Sequence, residues 1–218
     1  MSEFFIELFS EEIPAGLQRN SRNTLLENFQ NLFEEKKILF KKSSSFSTPN
    51  RLIILFEGLS KEITQKAEEI KGPNVNAPDK AVEGFLRSNQ IDKKDLFIKK
   101  IEKGEFYFFK KPSNKTNTID LLQEYTPLIL DKLQWKKSMI WGNYNLSWAR
   151  PLKSILAVFG NKSLDFKFHH LISSNTTFTD KEFEDKKKIF KTFKSYKDLF
   201  NQSGIIIDHV FRKDFIIK

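Results

Sequence analysis

The densest set of side chains that could carry chemistry lies within residues 136–151, which read KKSMIWGNYNLSWARP. Lysine and arginine contact RNA phosphates, and aromatic rings can stack on bases. This segment contains or adjoins all three tryptophans of the chain, Trp135, Trp141 and Trp148. Its basic side chains, with one more that follows a Thr-Pro-Asn turn earlier in the chain, are the candidate RNA-binding residues: Lys136, Lys137, Arg150 and Arg51.

The same tryptophans also fit a structural role. Large aromatic side chains often fill the space where a helix packs on a sheet, and most buried aromatics do no more than that. We therefore interpret Trp141 and Trp148 as core residues and leave the cations for RNA. Gly142 and its asparagine neighbours tolerate left-handed backbone, so the segment is predicted to be a turn that ends the preceding helix.

Other reactive residues form no catalytic or metal-binding pattern. Glu11 and Glu12 suggest the carboxylate pair of a hydrolase, but neighbouring side chains point in different directions, and acids at a helix start explain both. The histidines, His169, His170 and His209, lack the spacing of a zinc-binding helix, so no metal site is predicted. The chain has no cysteine and no glycine-rich phosphate loop, so no catalytic residue is predicted and a binding role is favoured.

The charge of the chain favours a polyanionic partner. The formal net charge is +9, and the imbalance is greatest over residues 112–170, with 8 Lys or Arg against 4 Asp or Glu. The alternative is A/T-biased codon usage, because 31 of the 37 basic residues are lysine and phenylalanine is abundant at 23. The apolar runs are too short to cross a membrane, so a soluble, cytoplasmic protein is expected.

The N-terminal part is predicted to begin with a strand and a long helix. Residues 4–9 carry the apolar pattern of a strand. Ser10 to Pro14 offer a hydroxyl cap, two acids and a proline, which suit the start of a helix running to about Ile38. Residues 41–47 are polar and predict a loop, and residues 52–56 predict a strand.

The remaining segments predict interleaved helices and hairpins. Residues 63–71 are ambiguous, because their charges suit a helix that Gly72-Pro73 would cut short. The other predicted elements are a helix from Pro78 to about 88–89, a hairpin of 96–101 and 106–110, a helix over 118–133 bent or divided at Pro127, a hairpin of 152–159 and 164–168, a strand over 189–193, a helix over 195–201, a strand over 205–207 and a helix from Asp208. This predicts an α+β fold of mixed or antiparallel sheets, with hairpins and with helices packed on one side.

Four short blocks occur in a characteristic order along the chain. Residues 5–14 read FIELFSEEIP, and residues 48–52 read TPNRL. The other blocks are KGP at 71–73 followed by KAVEGF at 80–85, and KSMIWG at 137–142 followed by Arg150-Pro151. Together they resemble the N-terminal part of the bacterial glycyl-tRNA synthetase beta subunit family, which opens with a strand and Glu-Glu-(Ile/Leu)-Pro and has Thr-Pro-Arg-Arg-Leu in the second block.

The resemblance implies a function for the whole assembly. It implies a heterotetramer of two alpha and two beta chains that attaches glycine to tRNA(Gly) with ATP. The adenylate chemistry, with its Mg²⁺, is then expected on the alpha subunit, and tRNA binding and assembly on the beta subunit. Residues 1–218 would form the N-terminal α+β region, with a candidate sub-boundary near 112–118, in what is expected to be part of a longer chain; alone, this segment is expected to be inactive.

This chain departs from the family pattern in one stretch and in length, because the beta subunit of the family is several times longer. Residues 175–182 lack the Gly-His-Arg-Phe stretch of the family, so its basic character is not expected here. An alternative function is a free-standing RNA-binding module without an enzyme partner, and an adjacent alpha-type synthetase chain would distinguish the two.

Overall fold

The structure is a computed structural model that describes residues 2–65, 67–101, 104–111, 113–179 and 188–217. Parts of four sequence predictions therefore lie outside the described residues. They are residue 66 of the ambiguous segment, residues 102–103 between the hairpin strands 96–101 and 106–110, residue 112 of the candidate sub-boundary, and residues 180–182 of the stretch that departs from the family. The chain forms two compact units. Unit 1 comprises Met1–Ile63 and Asn117–Lys218, and unit 2 comprises Thr64–Thr116.

Runs of consecutive strands are separated by single helices along the chain, and the sheets are antiparallel, which is the pattern of an α+β protein. In chain order they are β1 Ser2–Ser10, α1 Ala15–Glu35, β2 Lys42–Thr48, β3 Arg51–Leu59, β4 Glu62–Gln65, β5 Glu68–Asn74, α2 Asp79–Asn89, β6 Leu96–Ile101, β7 Gly104–Lys111, β8 Asn114–Asn117, α3 Thr118–Asp131, β9 Leu152–Phe159, β10 Lys162–Ser163, β11 Lys167–Phe168, β12 Leu171–Ile172, β13 Thr176–Thr177, β14 Lys188–Ile189, α4 Phe193–Gln202 and α5 His209–Ile217. The α+β class predicted from the sequence is confirmed. None of the helices in the described part of the chain is long and apolar enough to span a membrane.

Unit 1 is organised around an antiparallel sheet of five strands in the order β10-β9-β1-β3-β2. The central strand β1 pairs with β3 on one side and with β9 on the other; Glu7 lies opposite Ile53 and Leu156. Almost every residue of β1 is buried. A strand that is covered on both faces needs a continuous apolar run rather than an alternating one, which explains the phenylalanine-rich start of the sequence.

One face of this sheet is covered by α1 and α3. Leu25, Phe29 and Phe33 recur at helical spacing on α1 and are fully buried. The Phe33 ring lies 4.7 Å from that of Phe56 on β3, edge to face, an arrangement that aromatic pairs prefer. Strand β1 contributes alternate residues, among them Phe4, to this cluster.

The opposite face is covered by α4, which corrects the prediction that the helices pack on one side. Phe193, Tyr196 and Phe200 of α4 are buried against Phe5 of β1 and Leu156 of β9. Helix α4 caps itself locally, because the Thr192 hydroxyl accepts a hydrogen bond from the Ser195 N–H. The sequence showed the helix but not the face of the sheet to which it returns.

The start of α1 differs from the prediction. Ser10 ends β1, and its hydroxyl donates to the neighbouring Glu11 carbonyl instead of accepting a helix N–H. The intervening segment is held beside the turn between β2 and β3, because the Ile13 N–H donates to the Pro49 carbonyl at 2.7 Å. The helix therefore begins only at Ala15, after Pro14.

The predicted loop over residues 41–47 is wrong, because strand β2 occupies this position. It pairs with β3 along its whole length, from Lys42 opposite Glu57 to Thr48 opposite Arg51. It lies at the edge of the sheet, and most of its side chains are only partly buried. Polar residues are normal in such an edge strand, so its serines conceal it from a hydrophobicity pattern.

Unit 2 contains a three-stranded sheet in the order β5-β7-β6, together with α2. The predicted hairpin of β6 and β7 is confirmed, with Phe97 opposite Phe108. The predicted helix after Pro78 is confirmed as α2. The ambiguous segment from residue 63 onward forms strand in β4 and β5, so the helical alternative there is wrong.

Four further predictions in unit 1 need correction. Helix α3 is one element that contains Pro127, so the predicted division does not occur. The return strand after the Gly160-Asn161 turn, where both φ angles are positive, is only two residues long, and β11 pairs with β12 instead. In the C-terminal part, strand structure within residues 189–193 is limited to the end of β14, and residues 205–207 are not a strand.

We expect the aromatic cluster under α1 to carry much of the stability of unit 1. Phe33→Ala removes a fully buried ring and should lower the free energy of unfolding by about 3–5 kcal/mol. Leu39→Ala is the control, because that side chain is 75% exposed and should change stability by under about 0.5 kcal/mol. Urea unfolding followed by circular dichroism measures both. Equal small effects would show that the Phe33 ring is not packed as described.

Candidate functional site

The segment of residues 135–150, called here the tryptophan loop, connects α3 to β9. A short β-bridge joins two positions inside the loop, because Met139 and Trp148 exchange backbone hydrogen bonds of 2.8 and 3.1 Å. Gly142 has a φ of 56°, so the turn uses the left-handed conformation that favours glycine. The predicted turn is therefore present, and its position is set by the bridge.

Trp148 anchors this loop in the core of unit 1. Its side chain is 1% exposed, and its ring lies 5.1 Å from Trp135 and 5.9 Å from Phe168. Trp141 is partly buried against the same core. The interpretation as a core residue is confirmed for Trp148, whereas Trp141 lies at the margin of the core and keeps part of its surface exposed. The rings hold the loop in place, and other residues form its outer surface.

The outer surface of the tryptophan loop is basic and aromatic. Lys136 and Lys137 are exposed, and neither makes an ion pair within the described residues. The Tyr144 ring is 44% exposed and stacks on His170, with 3.7 Å between ring centroids and 12° between planes. Burial, followed by the positive field of His169, lowers the pKa of His170, so this stacked pair favours the neutral imidazole.

Arg150 lies at the end of the loop and is half-buried. One of its guanidinium nitrogens donates to the Ala149 carbonyl at 2.9 Å. The side chain makes no ion pair in the part of the chain that the structure describes. Three of the four predicted RNA-binding residues therefore lie on this one loop and retain exposed surface.

Arg51 has a different environment, which does not fit its predicted contact with RNA. The side chain is 3% exposed, and its Nε donates to the Glu7 carboxylate at 3.1 Å. An Nη donates to the Phe178 carbonyl at 2.6 Å. The guanidinium also lies over two rings, 4.4 Å from Phe9 and 4.8 Å from Phe200. The physical reason for this correction is burial, because a phosphate cannot reach these donors without displacing their partners.

Glu7 is the acceptor at the centre of this buried cluster. It is completely buried, and in addition to Arg51 it accepts hydrogen bonds from the hydroxyls of Thr177 and Tyr196. Both carboxylate oxygens are therefore occupied, which is the condition for keeping a buried charge. Burial and the adjacent Glu7 carboxylate raise the pKa of Tyr196 well above its usual value, so its hydroxyl stays protonated and continues to donate.

One feature of the sequence indicates this buried cluster, although it belongs to no catalytic or metal-binding motif. Glu7 is the only acid inside the apolar run of residues 4–9. A lone acid in a strand that is buried on both faces must have a partner. The identity of that partner depends on the pairing of β1 with β3 and on the return of α4, which no local pattern contains.

Glu11 and Glu12 do not form the cleft that a hydrolase would need. Both side chains are exposed, and the Glu11 carboxylate pairs with Lys153 at 2.6 Å. They lie between β1 and α1 rather than in a common pocket. His169 hydrogen-bonds to Asp131 at 2.9 Å. Within the described residues, no three His, Asp or Glu side chains are grouped so that they could hold a metal ion.

Comparisons with known proteins identify both the class and the family to which the chain is similar. The chain aligns with aminoacyl-tRNA synthetase subunits, since the family model described as "Glycyl-tRNA synthetase beta subunit" matches residues 4–218. Relatives named "Glycine--tRNA ligase beta subunit" include those of Rickettsia canadensis (strain McKiel), 37% identical over 216 residues, 99% of this chain and 32% of the relative, of Rickettsia bellii (strain OSU 85-389), 37% over 216 residues, 99% and 33%, and of Rickettsia felis (strain ATCC VR-1525 / URRWXCal2), 36% over 218 residues, 99% and 33%.

This chain belongs to the glycyl-tRNA synthetase beta subunit family. The match confirms the resemblance that the four sequence blocks indicated. The chain spans about a third of the length of the curated relatives it matches. Those relatives are named as subunits of a ligase that acts in protein biosynthesis.

The buried cluster predicts a large stability effect at Arg51. Arg51→Met leaves the Glu7 charge without its cationic partner and should lower the free energy of unfolding by about 3–5 kcal/mol. The control is Lys42→Met, which breaks a solvated pair with Glu57 and should cost under about 1 kcal/mol. Urea titrations at pH 7 measure both effects. A small loss at Arg51, coupled with weakened RNA binding, would instead favour the original RNA-contacting role.

Proposed function

We propose that this chain contributes tRNA binding and subunit assembly to a glycine–tRNA ligase, the enzyme that attaches glycine to tRNA(Gly) with ATP. Membership of the beta subunit family supports the enzyme class. The observation that carries the RNA-binding role is the exposed pair Lys136 and Lys137 on a loop that Trp148 anchors in the core. The charge excess of the surrounding sequence is consistent with it.

Each part of the tryptophan loop has a separate role in this proposal. Lys136 and Lys137 act as mobile point charges that meet phosphate oxygens, and Arg150 adds donors at the base of the loop. The exposed face of Tyr144 offers a surface on which an unpaired base can stack. Because Trp148 already fixes the loop, little conformational entropy is lost when RNA binds.

The proposal divides the reaction between two kinds of subunit, as the family resemblance implies. The alpha subunit binds ATP and Mg²⁺ and forms the glycyl-adenylate, and two alpha and two beta chains assemble in the bacterial cytoplasm. This chain supplies no catalytic residue. Its contribution is to hold the tRNA and to take part in the assembly.

The RNA-binding role predicts a change in salt dependence. Lys136→Gln/Lys137→Gln should weaken the binding of tRNA(Gly) and reduce the log–log salt slope by up to about 2, because each lost phosphate contact releases about one fewer counterion. Fluorescence anisotropy over a series of KCl concentrations measures the slope. Arg150→Gln should reduce it by up to about 1. The matched control is Lys110→Gln/Lys111→Gln at the end of β7, because these adjacent lysines are exposed and make no ion pair within the described residues; the change removes the same charge from unit 2.

The outcome separates binding from stability. If Arg150→Gln lowers the melting temperature and leaves the salt slope unchanged, Arg150 is a structural residue. If the slope of Lys136→Gln/Lys137→Gln equals that of the wild type, the tryptophan loop does not contact RNA and this part of the proposal is wrong.

The assembly role predicts a complex with the cognate alpha subunit. The 218-residue chain, mixed with alpha subunit and tRNA(Gly), should sediment faster than any component alone. The measurement is sedimentation velocity, and the control omits the alpha subunit. A chain that binds tRNA but gives the same sedimentation coefficient with and without alpha subunit would instead fit a free-standing RNA-binding module.

A further inference from the structure

A second cationic group lies across the edge strand β2, apart from the tryptophan loop. Two helices supply it: α1 contributes Arg19 and Arg22, and α5 contributes His209 and Arg212. The two inner guanidiniums converge on one residue of β2, since Arg22 donates to the Ser47 hydroxyl at 2.9 Å and Arg212 donates to the Ser47 carbonyl at 3.0 Å. Arg212 also donates to the Ile206 carbonyl at 2.7 Å, which fixes its position.

These cations are not neutralised by the surrounding acids. Within the described residues, no carboxylate lies within 4.0 Å of a guanidinium nitrogen of Arg19, Arg22 or Arg212. The nearby acid is Asp208, and its carboxylate already accepts the N–H groups of Val210 and Phe211 at the start of α5. Like charges held together without counter-charge are unfavourable, so their persistence calls for an anion.

Burial and the mutual repulsion of these cations lower the pKa of two of them, Arg22 and His209. Burial lowers the pKa of Arg22, and the positive fields of Arg19 and Arg212 lower it further. Burial also lowers the pKa of His209, with Arg22, Arg212 and Arg19 acting in the same direction and Asp208 opposing them. Both shifts have the sign expected of a cation-rich site without its anion.

Two polar atoms at this place have no hydrogen-bond partner within the described residues. They are buried, and they belong to Arg22 (Nε) and His209 (Nδ1). Arg212 in addition lines a cleft of about 350 Å³ with Ser203 and Gly204. Unpaired buried donors are rare and costly, so their clustering beside unneutralised arginines indicates a missing acceptor.

We propose that Arg19, Arg22 and Arg212, with His209, form a binding site for a phosphate oxyanion. The planar guanidinium presents paired N–H donors that match the geometry of phosphate oxygens. Three arginines together supply enough positive charge to balance a phosphate group that carries more than one negative charge. The phosphate could belong to an RNA backbone or be free inorganic phosphate. The site shares no residue with the tryptophan loop and does not depend on the RNA-binding role proposed for that loop.

Inorganic phosphate is the direct probe of this site. At constant ionic strength and pH 7, replacing chloride by phosphate at ten times the dissociation constant should raise the melting temperature of the 218-residue chain by about 3–6 °C. Arg19→Gln/Arg22→Gln should lose most of this shift. Arg87→Gln, at an exposed position of α2, controls for the general stabilising effect of phosphate on proteins.

Two readouts protect the test against a variant that merely folds less well. Arg19→Gln alone changes an exposed side chain with no hydrogen bond in the described residues and relieves repulsion on Arg22, so its melting temperature in chloride should be no lower than that of the wild type, and it should still show a smaller phosphate shift. In the wild type, phosphate should raise the pKa of His209 in an NMR titration, because an adjacent anion stabilises the imidazolium. If the phosphate shift is the same in the wild type, Arg19→Gln/Arg22→Gln and Arg87→Gln, the proposal is overturned.

Binding of tRNA(Gly) in chloride buffer identifies the source of the phosphate. If Arg19→Gln/Arg22→Gln loses the phosphate shift and also lowers the log–log salt slope for tRNA by up to about 2, the site holds a backbone phosphodiester. If the phosphate shift is lost while the tRNA slope stays at the wild-type value, the site holds free phosphate. Lys136→Gln/Lys137→Gln should retain the phosphate shift in either case, which separates this site from the tryptophan loop.

Discussion

The buried ion pair between Glu7 and Arg51 constrains how most of unit 1 is arranged. A fully desolvated carboxylate and guanidinium are tolerable only if each remaining donor and acceptor finds a partner. Those partners come from distant parts of the chain: a hydroxyl from β13, a hydroxyl from α4 and the carbonyl of Phe178. Satisfying one pair therefore fixes two separate segments, β13 with the adjoining Phe178 and α4, against the same face of the sheet. A slipped register of β1 on β3 would place Glu7 on the apolar face under α1, where no such partners exist.

The two faces of the central sheet consequently do different work. The face under α1 and α3 is closely packed with aromatic and aliphatic side chains, and it also receives Trp148, so the same cluster that stabilises the sheet holds the tryptophan loop. The face under α4 combines apolar packing with the charge cluster. Basic side chains that remain available for ligands lie outside both, on the loop before β9 and beside the edge strand β2. The core thus excludes water from one arginine while presenting others at its margins.

Strongly periodic or punctuated segments were predictable from the sequence, and long-range partnerships were not. The strands β1, β3 and β9 follow from apolar runs, and α2 follows from a proline start and an apolar stripe. Strand β2 was missed because its exposed edge permits serines, and the side on which α4 packs depends on chain path rather than on local composition. For the candidate site, the exposure of Lys136 and Lys137 agrees with their sequence context. Arg51 shows the limit of motif reading, because a basic residue in a matching block can equally be a core ion-pair partner.

Strand β1 has its two neighbours at very different distances along the chain, which matters during synthesis on the ribosome. Glu7 meets Ile53 early, whereas Leu156 leaves the exit tunnel about a hundred residues later, with all of unit 2 translated in between. At bacterial elongation speeds this leaves one side of a phenylalanine-rich strand unpaired for roughly 5–20 s in every nascent chain. Such an edge readily pairs with a neighbouring polypeptide.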